Sequence, residues 1–461
     1  MIQDKDLHFL NKVLNVGGVD IPIYIFGAGQ SGDKVYSYLT SLNLVRCVRG
    51  FIDNDISLQG VKKNGGLVYS LDEVIEKHGK EDVFIIIASL YHGLDISKQL
   101  ASKGVLFYYD AKDLISPTSD KLIKQFNKKP IVGKYCLVPF DNMWLYRNQA
   151  LTCCPQYINY IPIGNPQIQS LDEIWNSPMA RQIRQSIIDG TYCFCNFDLC
   201  SGRKLVDYEE LDDEHKDIID KEKTIMDRAP KSLHTGVDPS CNLRCKMCRP
   251  ESIHSSKERD ILNIYDQLCK KRWDGLELIS ANGAGELFFG DNDLRLLESI
   301  DEDRFPDLKT VRLASNGVLF TEEKWNRIDR LADKYKIYVA ISVDATTRET
   351  YDKIRIGGSF ESLKKNLEML SVKRIEGRIT YLEWRFCVQK DNWKEMKSFA
   401  EWGKRLQVDR VWFQILQGGT VDENVSDVNN SEYENLKTIL EDPIFHEDFV
   451  DIEQLRPVWD N

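Results

Sequence analysis

Cys241, Cys245 and Cys248 place three thiols within the eight residues CNLRCKMC. The spacing is C-x3-C-x2-C, and no fourth cysteine adjoins it. A structural zinc site closes with four protein ligands, commonly from two C-x2-C pairs. A cubane [4Fe–4S] cluster normally takes four thiolates, so three leave one iron open to an outside ligand. An open coordination position marks a metal that does chemistry rather than one that only holds a fold.

A second group lies upstream: Cys136, Cys153, Cys154, Cys193, Cys195 and Cys200. Four thiolates close one cluster. The expected set is Cys136, one of Cys153 and Cys154, Cys195 and Cys200, with Cys193 the rival of Cys195. Two full clusters would need about eight ligands, more than this segment holds. Structural zinc accepts the same thiolates and stays the alternative. Cys47, Cys269 and Cys387 lie singly in apolar surroundings and read as small buried hydrophobes.

A third constellation is Gly27-Ala28-Gly29-Gln30-Ser31-Gly32, which fits G-x-G-x-x-G between a strand and a helix. Asp53 follows the last glycine by about twenty residues, the separation of the dinucleotide fingerprint. In that fingerprint the helix N-terminus faces a phosphate and the acid faces a ribose.

These residues need elements to position them. Ile21–Phe26, Val45–Ile52, Val83–Ala88 and Val105–Tyr109 read as strands, alternating with helices at Gln30–Ser41, Leu71–His78 and Ile96–Lys103. That pattern predicts a small parallel α/β domain over 1–115. The cysteine-rich segment 131–202 has short strands and turns, then one helix over Leu171–Ile188. Residues 203–230 are dense in charge and read as a solvated helical linker. From Lys231 the alternation becomes regular. Strands are expected at Leu233–Val237, Leu276–Ala281, Thr310–Ala314, Ile337–Val343, Thr380–Val388 and Val411–Ile415. Helices are expected at Glu322–Tyr335, Phe360–Leu370 and Trp393–Arg405. Such β/α units suggest a parallel barrel over 231–420, in the partial (β/α)6 form, followed by an extension over 421–461. CNLRCKMC then follows the first barrel strand, at the end where βα loops build active sites.

The chain has 461 residues, long enough for two or three domains. Its longest apolar run, Val83–Ala88, is far too short to cross a bilayer. A formal net charge of −11 speaks against a nucleic-acid partner. The N-terminus MIQDKDLHFL lacks the pattern of an export signal. A cytoplasmic location is expected, where disulfides are not the natural use of twelve cysteines.

CNLRCKMC after the first strand resembles the signature of the radical S-adenosylmethionine (radical SAM) superfamily, with Met247 where an aromatic residue is common. The resemblance continues in strand order over about residues 231–416. Gly283-Ala284-Gly285-Glu286 is similar to the family's GGE motif, with Leu287 where proline often follows. Ser315-Asn316-Gly317 resembles its TNG turn, and Ser342-Val343-Asp344 closes the fourth strand. The resemblance implies a catalytic [4Fe–4S] cluster on Cys241, Cys245 and Cys248, with S-adenosylmethionine on the open iron. It places Gly283, Gly285, Glu286, Ser315, Asn316, Ser342 and Asp344 around that ligand. Arg385 and Gln414 are further candidates for its carboxylate and adenine. A flavodoxin- or ferredoxin-type protein would supply the electron.

The run ISVDATTRETYDKIRIGGSFESLKKNLEML is similar to members that carry a SPASM domain. Tyr135–Cys200 resembles such a domain, through CLVPFDNMWLYRNQALTCCP, IGNPQIQSLDEIWNS and CFCNFDLC, but precedes the barrel. It implies an auxiliary [4Fe–4S] cluster. FGAGQSGDKVYSYL with GFIDND resembles the N-terminal Rossmann-like domain of sugar-nucleotide acyltransferases, implying a nucleotide-type ligand at Gly27, Gly29, Gly32 and Asp53. The expected function is radical SAM chemistry on a carbohydrate or nucleotide sugar. A peptide is the alternative substrate, and a non-catalytic iron–sulfur or zinc scaffold is the alternative class.

Overall fold

A computed structural model describes residues 22–41, 48–80, 82–89, 93–105, 108–111, 131–155, 157–158, 161–192, 194–195, 197–200, 205–249, 251–281, 284–416 and 422–455. Cys47, Cys193 and Gly283 lie outside them. The chain divides into two units, one running to Trp144 and over Asn148–Arg228, the other Leu145–Arg147 with Ala229 onward.

The first unit opens with β1 (Ile23–Phe26), β2 (Val48–Ile52), β3 (Lys62–Lys63), β4 (Gly66–Tyr69), β5 (Phe84–Ile87) and β6 (Tyr108–Asp110), in the sheet order β3-β4-β2-β1-β5-β6. All neighbours are parallel except the β3–β4 hairpin. IYIF and FIII are buried along their whole length because both are inner strands, covered on two faces. The helix Leu71–His78 begins where Ser70 and Glu73 close a reciprocal capping box.

The same unit continues with β7 (Lys134–Cys136), β8 (Asn142–Tyr146), whose last two residues belong to the other unit, β9 (Ala150–Leu151) and β10 (Leu205–Asp207). The expected single helix over 171–188 is two, Leu171–Trp175 and Pro178–Ile188. Ser177 caps the second by accepting from the Ala180 N–H, and Pro178 has no N–H to continue the first. Arg184 is fully buried at their junction and ties distant segments together. Its guanidinium donates to the carbonyls of Pro139 (3.0 Å), Trp175 (2.8 Å) and Thr224 (2.8 Å), and to Asn176 Oδ1 (3.1 Å).

Over 205–230 the charged stretch is not a solvated linker. β10 pairs antiparallel with β7, setting Leu205 opposite Cys136. The helix Asp213–Asp220 buries His215, Ile218 and Ile219. His215 bridges Asp212 (2.7 Å) and Asp141 (3.1 Å), and Arg228 joins Asp141 at 2.6 Å. Its charges bond to one another and to the cysteine-rich segment, which charge density alone could not reveal.

The second unit carries β11 (Ser232–Gly236), β12 (Leu278–Ala281), β13 (Thr310–Ser315), β14 (Lys336–Ser342), β15 (Tyr381–Val388), β16 (Arg410–Ile415) and β17 (Val450–Asp451). They stand side by side in that order, each parallel to the next. The strand ends differ from the expected ones by two residues at most. The last segment is more than an extension, because β17 adds to the sheet beside β16. Along β14 and β15 one face is buried (Ile337, Val339, Ile341; Leu382, Trp384, Phe386), while Ser342, Arg385 and Cys387 on the other line a cavity.

Candidate active site

The cysteine loop leaves β11 through Asp238, Pro239 and Ser240. Asp238 Oδ1 accepts from the Ser240 N–H at 2.9 Å, and Ser240 Oγ accepts from the Ser255 N–H at 2.8 Å. Two further bonds fix the loop from outside. The Arg244 N–H donates to the Ile356 carbonyl (3.1 Å) and the Lys246 N–H to the Ile354 carbonyl (2.9 Å). Cys241 and Cys245 are buried and Cys248 is exposed. Burial pushes both buried thiols above their ordinary pKa; for Cys245 the Arg355 guanidinium pulls the other way.

The glycine segment after β12 lies directly on this loop. The Glu286 N–H donates to the Ser240 carbonyl at 2.7 Å. A Cβ at Gly285 would stand 2.0 Å from that carbonyl oxygen, so only glycine allows the approach. Arg249 clamps the two segments, donating to the carbonyls of Pro239 (2.7 Å) and Ala284 (2.6 Å). Glu286 is buried with both oxygens engaged. Oε1 accepts from Ser315 Oγ (2.6 Å) and Oε2 from the Asn316 N–H (2.6 Å). Burial raises its pKa, and the Asn316 and Ser315 bonds restrain that rise. Asn316 Nδ2 in turn reaches Asn242 Oδ1 at 3.0 Å, tying the third strand's turn to the cysteine loop.

Cys241, Cys245, Cys248, Gly285, Glu286, Ser315, Asn316, Ser342 and Arg385 thus line one cavity of about 290 Å³. Arg249, Arg355 and Cys387 share the lining and were not among the expected site residues. Cys387, read as a lone buried thiol, is pushed up to about 12 by burial. Arg385 does line the cavity, but its Nε already donates to Glu383 at 2.6 Å. Gln414 stands opposite Cys387 on β16 and is not part of the wall.

Asp344 also stays out of the lining. Its backbone is left-handed, with φ of 65°, which swings the carboxylate across to β15. There Oδ1 accepts from the Cys387 N–H at 2.7 Å, while Oδ2 pairs with the Arg355 guanidinium. Both of its oxygens are thus engaged within the protein, one of them by Arg355.

Beneath the glycine segment Asp293 is buried with Asp238 and Glu286. Burial and those two carboxylates push it up to about 7, although Tyr265 donates to it at 2.6 Å. A raised carboxylate pKa costs stability above the folded value, and that cost fades as pH falls towards the ordinary value of 3.8. Asp293→Asn keeps an acceptor for Tyr265 and removes the charge. It is expected to stabilise this unit by about 3 kcal/mol at roughly pH 8 and by much less at about pH 5. Thermal melts at both values check this; equal shifts at the two would refute it.

In the first unit, Cys136 ends β7, Cys153 and Cys154 follow β9, Cys195 precedes the helix Phe197–Cys200 and Cys200 ends it. Tyr192, whose hydroxyl donates to the Lys134 carbonyl at 2.6 Å, lies beside Cys136 and Cys195. Burial raises its pKa first, and these two sulfurs add to that. At the other end, Gly27 and Gly32 are packed solid, because a Cβ on either would meet the Ala88 or Gly27 carbonyl oxygen at 2.7 or 2.1 Å. Gly29 has nothing within 4 Å of where its Cβ would be. Asp53 holds the loop itself, accepting from the Ala28 N–H at 2.7 Å and the Asp55 N–H at 3.0 Å.

Among the described residues no three Cys, His, Asp or Glu side chains are grouped to hold one metal ion. The loop thiols instead stand around a cavity, an arrangement suited to a larger group. Residues 237–402 match the Radical SAM superfamily. The chain carries a radical SAM domain. Residues 136–201 match the SPASM iron–sulfur cluster-binding domain. Together the two domains imply [4Fe–4S] clusters and S-adenosylmethionine as cofactors of an enzyme. A probable GTP 3′,8-cyclase of Methanococcus maripaludis (strain C5) is 28% identical over 183 residues, 39% of this chain and 57% of the relative. That of Methanococcus aeolicus is 26% identical over 219 residues, 46% of this chain and 69% of the relative. Streptococcus suis SuiB bound to S-adenosylmethionine superposes with a TM-score of 0.35 at 14% identity, covering 65% of this chain and 67% of that one. No helix among the described residues is long and apolar enough to cross a membrane.

Proposed function

We propose that this radical SAM enzyme cleaves S-adenosylmethionine reductively and abstracts hydrogen from a nucleotide-linked small molecule, a nucleotide sugar being the favoured kind. The carrying observation is that three loop thiols line one cavity together with Glu286, Ser315, Asn316 and Ser342. When bound, the cluster and S-adenosylmethionine supply a 5′-deoxyadenosyl radical, using one electron from a flavodoxin- or ferredoxin-type donor. Cys241, Cys245 and Cys248 would hold the cluster. Gly285 lets the glycine segment lie against their loop, and Glu286 orders the turn of Ser315 and Asn316 behind it. The parallel sheet β11–β17 is read as a partial barrel with these loops at its C-terminal rim.

Support for a nucleotide-linked substrate comes from two sides. Relatives matched over part of their length are named for a reaction of GTP. In the N-terminal sheet, read as Rossmann-like, Gly27 and Gly32 are sterically required while space is left over Gly29. A second reading, a peptide substrate, is what the resemblance to SPASM-carrying enzymes implies. The test is anaerobic. Reduced protein with S-adenosylmethionine should release 5′-deoxyadenosine, and a deuterated UDP-sugar should pass deuterium into it. Deuterium arriving from peptides alone would select the second reading. No cleavage by protein with its full iron would overturn both.

A further inference from the structure

Cys245 and Arg355 are far apart in sequence, yet the fold builds them as a pair. The Arg244 and Lys246 N–H groups bond to the Ile356 and Ile354 carbonyls, so the two backbones run together with Cys245 facing Arg355. Arg355 Nη1 donates to Cys245 Sγ at 3.5 Å. On its far side the guanidinium pairs with Asp344, held in turn by the Cys387 N–H. The side chains of Arg355 and Asp344 are 11% and 1% exposed, so the charges act through little water. Arg355 Nε is buried with no hydrogen-bond partner in the described protein, although the residue lines the cavity.

We propose that Arg355 is a positioning residue that sets how readily the site accepts its electron, by fixing a positive charge against the Cys245 ligand. This rests on reading the cysteine loop as a cluster site. One electron from a flavodoxin- or ferredoxin-type reductant adds one negative charge within the cavity. A cation held at the ligand sulfur stabilises that added charge, and Asp344 keeps the cation in place without facing the cavity itself. Arg249 and Arg385 are the other guanidiniums in the lining, but Arg249 bonds to backbone carbonyls and Arg385 to Glu383, whereas Arg355 bonds to a thiol.

The test compares reconstituted wild type with Arg355→Lys, Arg355→Gln and Arg355→Met. The readout is the midpoint potential of the EPR signal that S-adenosylmethionine perturbs, with iron content measured alongside. Met and Gln should make the site at least tenfold harder to reduce, which is about 59 mV for one electron. Lys, which keeps the charge, should recover most of that shift. If Met fails to hold iron, Gln carries the comparison, since it retains an N–H donor and loses only charge. Unchanged potential in the neutral variants would overturn the proposal, as would a Lys variant shifted as far as Met. A wild type with no signal sensitive to S-adenosylmethionine would instead overturn the reading of the loop, a different failure.

Discussion

Gly285→Ala should lower S-adenosylmethionine cleavage by about a hundredfold or more, although it adds one methyl group to a residue that bonds no ligand through a side chain. The added carbon would stand 2.0 Å from the Ser240 carbonyl oxygen and 2.6 Å from the Pro239 carbonyl carbon. Both atoms are backbone, so no side-chain rotation relieves the clash. The chain must open between the glycine segment and the cysteine loop, breaking the 2.7 Å bond from the Glu286 N–H to Ser240. Cys241 is the next residue, so an opening of about 1 Å is passed directly to the first ligand, and displacements of that size cost about a hundredfold in reactions that depend on alignment. Overpacking of this kind costs about 1–3 kcal/mol, so the protein should still fold. Cleavage assays on protein of matched iron content check the effect. A variant with normal iron and normal rate would show that the two segments need not touch.

That contact explains why this part of the site was legible in the sequence. The three cysteines, Gly285-Glu286 and Ser315-Asn316 each sit at the C-terminal end of a strand in chain order, and parallel β/α topology carries such ends to one rim. Local spacing and strand order together were enough to bring them into one cavity. Arg355 was not legible in the same way. Its partners Cys245 and Asp344 lie on different loops, and only the pairing of the 244–246 and 354–356 backbones joins them. Asp344 was among the expected residues, but its bonds to Arg355 and the Cys387 N–H leave no trace in the local spacing. The stretch 203–230 failed for another reason. Charge density suggests solvation, yet Arg228, Asp141 and His215 bond to one another, and pairing over such sequence distances leaves no periodic trace. The break at Ser177-Pro178 was written plainly in the residues and was lost under the apolar spacing on either side of it.

The largest effects of all are expected from the cysteines, and they separate the two groups. Anaerobically reconstituted protein should hold about eight irons, as two cubanes. Replacing Cys241, Cys245 and Cys248 together by Ala should remove about half of that iron and all S-adenosylmethionine cleavage. Cys241 and Cys245 are buried beside Leu243 on the cavity wall of the second unit, so their loss should leave the first unit and its cluster intact. Replacing Cys195 and Cys200 should remove the other half and spare some uncoupled cleavage, because S-adenosylmethionine is expected on the loop cluster. The second change falls on the first unit instead. Cys200 ends the helix Phe197–Cys200, Cys195 neighbours the buried Tyr192, and Cys136 pairs through β7 with β10. A melting transition of the first unit should therefore fall in the Cys195/Cys200 variant and stay put in the loop variant. Iron analysis, cleavage assays and calorimetry on the same preparations give three readouts for each protein. Zinc rather than iron at the second group, after preparation in excess iron without oxygen, would remove the auxiliary cluster from the account. Undiminished cleavage by the triple loop variant would remove the catalytic one.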